Sequence, residues 1–158
     1  MASSAGLKEG DKAPDFKVKA DDGRTVTLGD YQGKNLILYF YPKANTPGCT
    51  HEANGFRNMH EDFQKQNAEV AGVSGDSVEA QAKFAKKLEL NFPLLADTEF
   101  ELIEAYGARR MKSFLGKSFL GIVRMTFWIG PDGKIRKIWE NVIPKGHAAE
   151  VLEALRAE

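Results

Sequence analysis

An α/β fold with a mixed central β-sheet flanked by helices is the class this chain predicts, and three observations carry it. The run "KNLILYFYP" is apolar on both faces and stops at Pro42, as a central strand buried on two sides does. Beyond it, segments with apolar residues three or four apart alternate with short apolar runs, the alternation of a layered α/β domain. Near the end, "RMTFWIGPDGKIRKIWE" reads as two strands across a Pro-Asp-Gly turn, which places an antiparallel pair in the same sheet.

Taken in order, "DFKVKADDGRTVTL" opens with Phe16 and Val18 alternating with lysines, turns at Asp21-Asp22-Gly23 and continues through Val26 and Leu28, which predicts an N-terminal β-hairpin. After the central strand, Ala53, Phe56, Met59 and Phe63 mark one face of a helix from Pro47 to about residue 66. "EVAGVSG" is the next strand. Asp76, followed by Glu79, has the spacing of a capping box for the helix "SVEAQAKFAKKL", whose Val78, Ala82, Ala85 and Leu88 share a face. "FPLLAD" and "TEFELIEAYG" predict a short strand and a short helix closed by Gly107. Residues 107–121 read as irregular and basic, and "HAAEVLEALRAE" as a closing amphipathic helix. Hairpin, strand-helix-strand, helix, strand pair and helix together make a thioredoxin-like arrangement.

With 158 residues the chain fits one domain, 1–158, large enough for its own core. Its 22 basic and 22 acidic residues cancel, so no global field recruits nucleic acid or an anionic membrane. "MASSAGLKEG" lacks the charge and apolar pattern of a leader, and residues 1–8 are expected to be a flexible tail. The longest apolar run is too short to span a bilayer. One cysteine excludes an internal disulfide and agrees with a reducing compartment, the cytoplasm.

That cysteine, Cys49, lies in "NTPGCTHEANGF". With Thr46 as N-cap and Pro47 as first helical residue, Gly48 is second and Cys49 third. The loop leaves the carboxyl end of a central strand, where open α/β sheets form their ligand crevices. Unpaired amides and the positive end of the helix dipole favour a thiolate there, and cysteines so placed titrate below their free value of about 8.5. The same amides can hold an anionic oxygen, Gly48 lets a ligand approach the backbone, and the Thr46 hydroxyl can donate and accept. A small buried hydrophobe is the competing reading of a lone cysteine.

The segment "YFYPKANTPGCTHEANGFRN" resembles the active-site segment of the peroxiredoxins: Pro42, Thr46 and Cys49 stand at the positions of its Pro, Thr or Ser, and peroxidatic Cys. "YFYPK", "NTPGCT" and "GFR" are similar to the peroxiredoxin Q group, also called bacterioferritin comigratory proteins, and "GIVRMTF" is similar to that group's segment with the active-site arginine, here Arg124. The resemblance runs from "GDKAPDF" to the last helix. It implies a thioredoxin fold and reduction of hydrogen peroxide and organic hydroperoxides. In it Cys49 would attack the peroxide and become a sulfenic acid, Arg124 would stabilise the thiolate and the leaving oxygen, Thr46 would hydrogen-bond the peroxide, and Pro42 would shield the sulfur. Glu52 matches an acidic position of the group. Two readings stay open for it: orienting Arg124, or an exposed helical surface charge.

The group's resolving cysteine usually stands five residues after the peroxidatic one, where this chain has Asn54, and none occurs near residues 81–88. Resolution then falls to an external thiol: thioredoxin, glutaredoxin or a small thiol. No cofactor or metal is expected, since His51, His60 and His147 lack metal-ligand spacing and "GVSGDS" lacks the pattern of a phosphate loop. Arg109, Arg110, Lys112 and Lys117, with Phe114, Leu115, Phe119 and Leu120, form either a solvated loop or a docking segment. A monomer or weak dimer is expected. Two other functions compete: a redox sensor or client-binding module switched by Cys49 with little turnover, and a scaffold with an inert thiol.

Overall fold

The computed structural model describes residues 6–157. Nine strands and five α-helices follow in the order β1 (Lys17–Ala20), β2 (Thr25–Thr27), β3 (Asn35–Phe40), α1 (Pro47–Asn58), α2 (His60–Lys65), β4 (Ala68–Ser74), α3 (Val78–Leu88), β5 (Leu94–Ala96), α4 (Glu101–Ala105), β6 (Arg109–Phe114), β7 (Lys117–Ile122), β8 (Met125–Ile129), β9 (Ile135–Trp139) and α5 (His147–Arg156) among these residues. Seven strands form one sheet in the order β2-β1-β5-β4-β3-β8-β9. The β3-β4 and β4-β5 pairs are parallel, and the others antiparallel. The sheet is therefore mixed, with the expected N-terminal hairpin at one edge and the expected second hairpin at the other.

β3 shows why both faces need helices. Ile37 and Tyr39 point into one buried cluster with Phe56, Phe63, Phe84 and Leu152. Leu36, Leu38 and Phe40 point into the other, with Leu102, Ile103, Tyr106 and Phe127. The strand's alternation by two splits a continuous apolar run between two cores. Cys49 belongs to the first cluster, beneath α1, α3 and α5.

Local expectations need correction at several points. The helix expected over 47–66 is two helices joined at Met59, whose amide falls back on Phe56 O in a tightened turn. Asn54, Gly55 and Asn58 are weak helix formers, and the ladder gives way after them. His51 and His60 thus sit on different helices. Ser77, not Asp76, caps α3, accepting from Ala80 N at 3.1 Å, while Asp76 Oδ2 takes Ala44 N–H and the Ser74 hydroxyl at 2.7 Å each. α3 buries Gln81, Phe84, Ala85 and Leu88, with Val78 and Ala82 half-buried beside them. Residues 107–121, expected to be irregular, form the regular β6-β7 hairpin, a separate two-stranded sheet. Of the tail expected over 1–8, residues 1–5 lie outside the described residues. Leu7 already packs against the second cluster, and Lys8 N donates to Asp11 Oδ2.

Candidate active site

Two distant stretches meet because β3 and β8 are antiparallel neighbours. Phe40, the last residue of β3, pairs with Met125, the first of β8. The loop after β3 and the residue before β8, Arg124, therefore lie at the same edge of the sheet. Tyr41 N–H still bonds Val73 O at 3.0 Å, and half-buried Pro42 then turns the chain away.

Thr46 is the N-cap of α1, in extended conformation, and Pro47 is the first helical residue, as the sequence predicts. The Thr46 carbonyl accepts from Thr50 N at 2.8 Å, but its hydroxyl does not cap the helix; it donates to Lys43 O at 2.9 Å. That bond ties the loop to itself and leaves the hydroxyl oxygen's lone pairs as acceptors. Cys49 is the third residue of α1, in the turn whose amides lack intrahelical acceptors, and is 1% exposed.

Arg124 reaches both halves of the site. Its Nη2 lies 3.4 Å from Cys49 Sγ and its Nη1 donates to Glu52 Oε1 at 2.7 Å. Glu52, on α1 one turn after Cys49, is 1% exposed, which removes the reading of it as a surface charge. Burial pushes its carboxyl up to about 7, against the lowering effect of the Arg124 charge and hydrogen bond. Burial disfavours the charge on Arg124, yet Glu52 and Cys49 together hold the guanidinium above its usual range. A permanent cation is thus fixed beside the sulfur. Glu52 Oε2 and the Tyr39 hydroxyl are buried with no hydrogen-bond partner among the described residues.

Gly48 also has a packing role beside Arg124. A Cβ there would stand 3.1 Å from Arg124 Nη2 and 3.5 Å from Pro144 Cγ, so the missing side chain makes room for the guanidinium. Asn54, half-buried five residues past Cys49, carries no sulfur. Cys49, Glu52, Gly48 and Arg124 therefore converge, with Thr46 and Pro42 on the loop that leads to them.

Sequence reasoning missed two supports. Tyr41 hydroxyl donates to Gln81 Oε1, Gln81 Nε2 to Ser74 Oγ and Leu95 O at 2.9 Å each, and Ser74 to Asp76, which holds Ala44 N. This relay pins the active-site loop to β4 and α3. Behind β8, buried Thr126 Oγ1 and His147 Nε2 are 2.7 Å apart, and His147 Nδ1 is 3.0 Å from Glu150 Oε1. The only available signals were a polar residue at a strand end, Ser74, and one on the apolar face of a helix, Gln81.

Residues 9–138 match the model of the AhpC/TSA family. The Bacillus subtilis (strain 168) protein "Peroxiredoxin Bcp" is 48% identical over 150 residues, 95% of this chain and 96% of the relative. Its Escherichia coli (strain K12) namesake is 42% identical over 95% of this chain and 96% of its own. Among solved structures, a cysteine-to-serine mutant of PrxQ from Xylella fastidiosa superposes with a TM-score of 0.91 at 37% identity, covering 96% of each chain. A Xanthomonas campestris bacterioferritin comigratory protein, studied for alkyl peroxide reduction in a trapped intermediate/ligand complex, reaches 0.86 at 38% identity over 90% of each chain. On this likeness across nearly its whole length, the chain belongs to the AhpC/TSA family, with the peroxiredoxin Bcp and PrxQ proteins as its relatives.

Proposed function

We propose that this chain is a thiol peroxidase that reduces hydrogen peroxide and organic hydroperoxides through Cys49. One observation carries the reading: a guanidinium 3.4 Å from the chain's one thiol, in the first turn of a helix, backed by a buried carboxyl group. The sulfur attacks one peroxide oxygen, the O–O bond breaks, and the other oxygen leaves as hydroxide or alkoxide and takes a proton. Cys49 becomes a sulfenic acid. Arg124 offsets negative charge first on sulfur and then on the leaving oxygen. Thr46, its hydrogen committed to Lys43 O, accepts the peroxide O–H; Pro42 keeps water from the sulfur, and Glu52 orients Arg124. The likeness to a protein studied for alkyl peroxide reduction supports the organic substrates.

The chain has no second cysteine, and Asn54 stands where the group's resolving residue usually does, so an external thiol reduces the sulfenic acid. The lone thiol supports a reducing compartment, the cytoplasm, and the enzyme works as a monomer or weak dimer. The test is intact mass after one equivalent of hydrogen peroxide, followed by turnover with thioredoxin, glutaredoxin or glutathione. We expect one added oxygen on the wild type, none on Cys49→Ser, and peroxide consumption with at least one thiol. An unmodified wild-type mass, or one oxidation that no thiol reverses, overturns the proposal; the second result is that of a sensor.

A further inference from the structure

A cavity of about 250 Å³ lies between the active-site loop and α3, and its chemistry bears on which thiol completes the cycle. Resting on the peroxidase reading above, we propose that this cavity is a subsite for a small anionic thiol, whose carboxylates it holds while the thiol's sulfur reaches oxidised Cys49.

Charge is the first argument. Among the described residues, Lys43 from the loop and Lys83 and Lys87 from α3 line the cavity, against a single carboxylate, Asp76. Asp76 is already engaged, its Oδ2 accepting from Ala44 N and the Ser74 hydroxyl at 2.7 Å each. Lys83 pairs with Glu79 at 3.5 Å, but the two side chains are 78% and 81% exposed, so a ligand carboxylate can replace that partner at little cost. Lys87 Nζ donates to Asn45 Oδ1 at 2.7 Å, which brings an ammonium onto the loop itself.

Shape is the second. Ala44, Ala80 and Phe84 supply apolar wall between the ammonium groups, a surface for the methylenes of a small organic acid. The volume suits a peptide-sized molecule rather than a protein surface.

Reach is the third. Asn45, on the cavity wall, directly precedes the N-cap Thr46, so the cavity borders the loop that runs into the first turn of α1, where Cys49 is the third residue. A tripeptide-sized thiol spans roughly 10 Å when extended. Phe84 packs on Tyr41 with ring centroids 6.1 Å apart, and Tyr41 belongs to the same buried cluster as Cys49.

The chemistry balances with two thiols. The first attacks Cys49 Sγ, the S–O bond breaks, and the hydroxyl leaves with a proton as water, giving a mixed disulfide. A second thiol attacks the outer sulfur of that disulfide, releasing the thiol's disulfide and returning Cys49 as thiolate.

The test mixes the protein with one equivalent of hydrogen peroxide, then with either glutathione or its diethyl ester, which keeps the skeleton and blocks both carboxylates. The rate of mixed-disulfide formation is read by quenched intact mass. We expect glutathione to react about tenfold faster than the ester and to saturate, and Lys83→Glu, or the milder Lys83→Gln, to lower the glutathione rate toward that of the ester. Equal rates for the two thiols, a strictly linear dependence on glutathione, or no response to either variant overturns the subsite. A protein that takes up no oxygen in the first mix instead overturns the peroxidase reading.

Discussion

Arg124 and Glu52 meet at 2.7 Å across 72 residues of chain, and the pair is deeply enclosed, with the Glu52 side chain fully buried and that of Arg124 15% exposed. Removing one member of such a pair leaves the other uncompensated, at a cost of about 3–5 kcal/mol.

Arg124→Lys separates the two jobs of this guanidinium. A lysine offers one point charge and cannot bridge Glu52 and Cys49 with two rigidly spaced donors. We expect second-order oxidation of Cys49 by peroxide to slow by about 10²-fold, the scale of losing one preorganised donor. Stopped-flow rates equal to the wild type would show that another group carries the charge.

Gly48→Ala gives a sharper split. Alanine is better than glycine inside a helix by about 1 kcal/mol, so stability should hold or rise. Its Cβ would stand 3.1 Å from Arg124 Nη2, however, and the guanidinium must move by a few tenths of an ångström. We expect about tenfold slower oxidation, since small misplacements of a positioned group are costly. Denaturant midpoints and oxidation rates measured on the same sample check the pair of outcomes. A loss of both together would mean that Gly48 is needed for the helix rather than for Arg124.

What could be read in advance follows the range of each signal. The position of Cys49 was legible because Thr-Pro-Gly is a local helix-start pattern, and β3 because nine residues state its burial directly. Arg124 became legible only through resemblance, since the β3-β8 register that brings it to Cys49 is a long-range fact. Glu52 stayed ambiguous because glutamate in a helix is usually exposed, and only its partner explains its burial. The β6-β7 hairpin was missed for a physical reason. Met111 and Leu120 lie on one face, Phe114 and Phe119 on the other, and all four are exposed, so no alternation marks a core side.

That hairpin carries a local conflict that can be measured. Leu115 and Gly116 at its tip have φ of 51° and 77°, both left-handed, in the two-residue loop position that favours Asn-Gly. A leucine there costs roughly 1–2 kcal/mol. Leu115→Asn should relieve much of this and raise amide-exchange protection in β6 and β7, with little effect on the main sheet. No gain in protection at Lys112 or Phe119 would show that neighbours already offset the strain.

The response of stability to pH should carry two opposed contributions, from Glu52 and His147. Burial holds the Glu52 carboxyl near 7, above its ordinary 4.5, so the folded protein keeps a proton that the unfolded chain releases. This contribution is complete below about pH 4.5 and is lost as pH rises to about 7. His147 behaves in reverse: burial, aided by Arg124, holds it below its ordinary 6.5 despite the raising effect of Glu150. Its neutral form donates from Nδ1 to Glu150 and accepts the Thr126 hydroxyl at Nε2, and the contribution falls as pH drops below 6.5. Between about pH 4.5 and 6.5 the two slopes partly cancel. Glu52→Gln should leave the His147 slope alone, so stability climbs with pH by up to about 1.4 kcal/mol per unit for the one proton. His147→Gln should do the opposite, leaving stability to decline toward neutrality, because the Glu52 carboxyl, like that of Asp97 whose burial also raises it, binds its proton more tightly in the folded state. Urea titrations at intervals across this range separate the two, and parallel curves for the wild type and both variants would place the pH response in other groups.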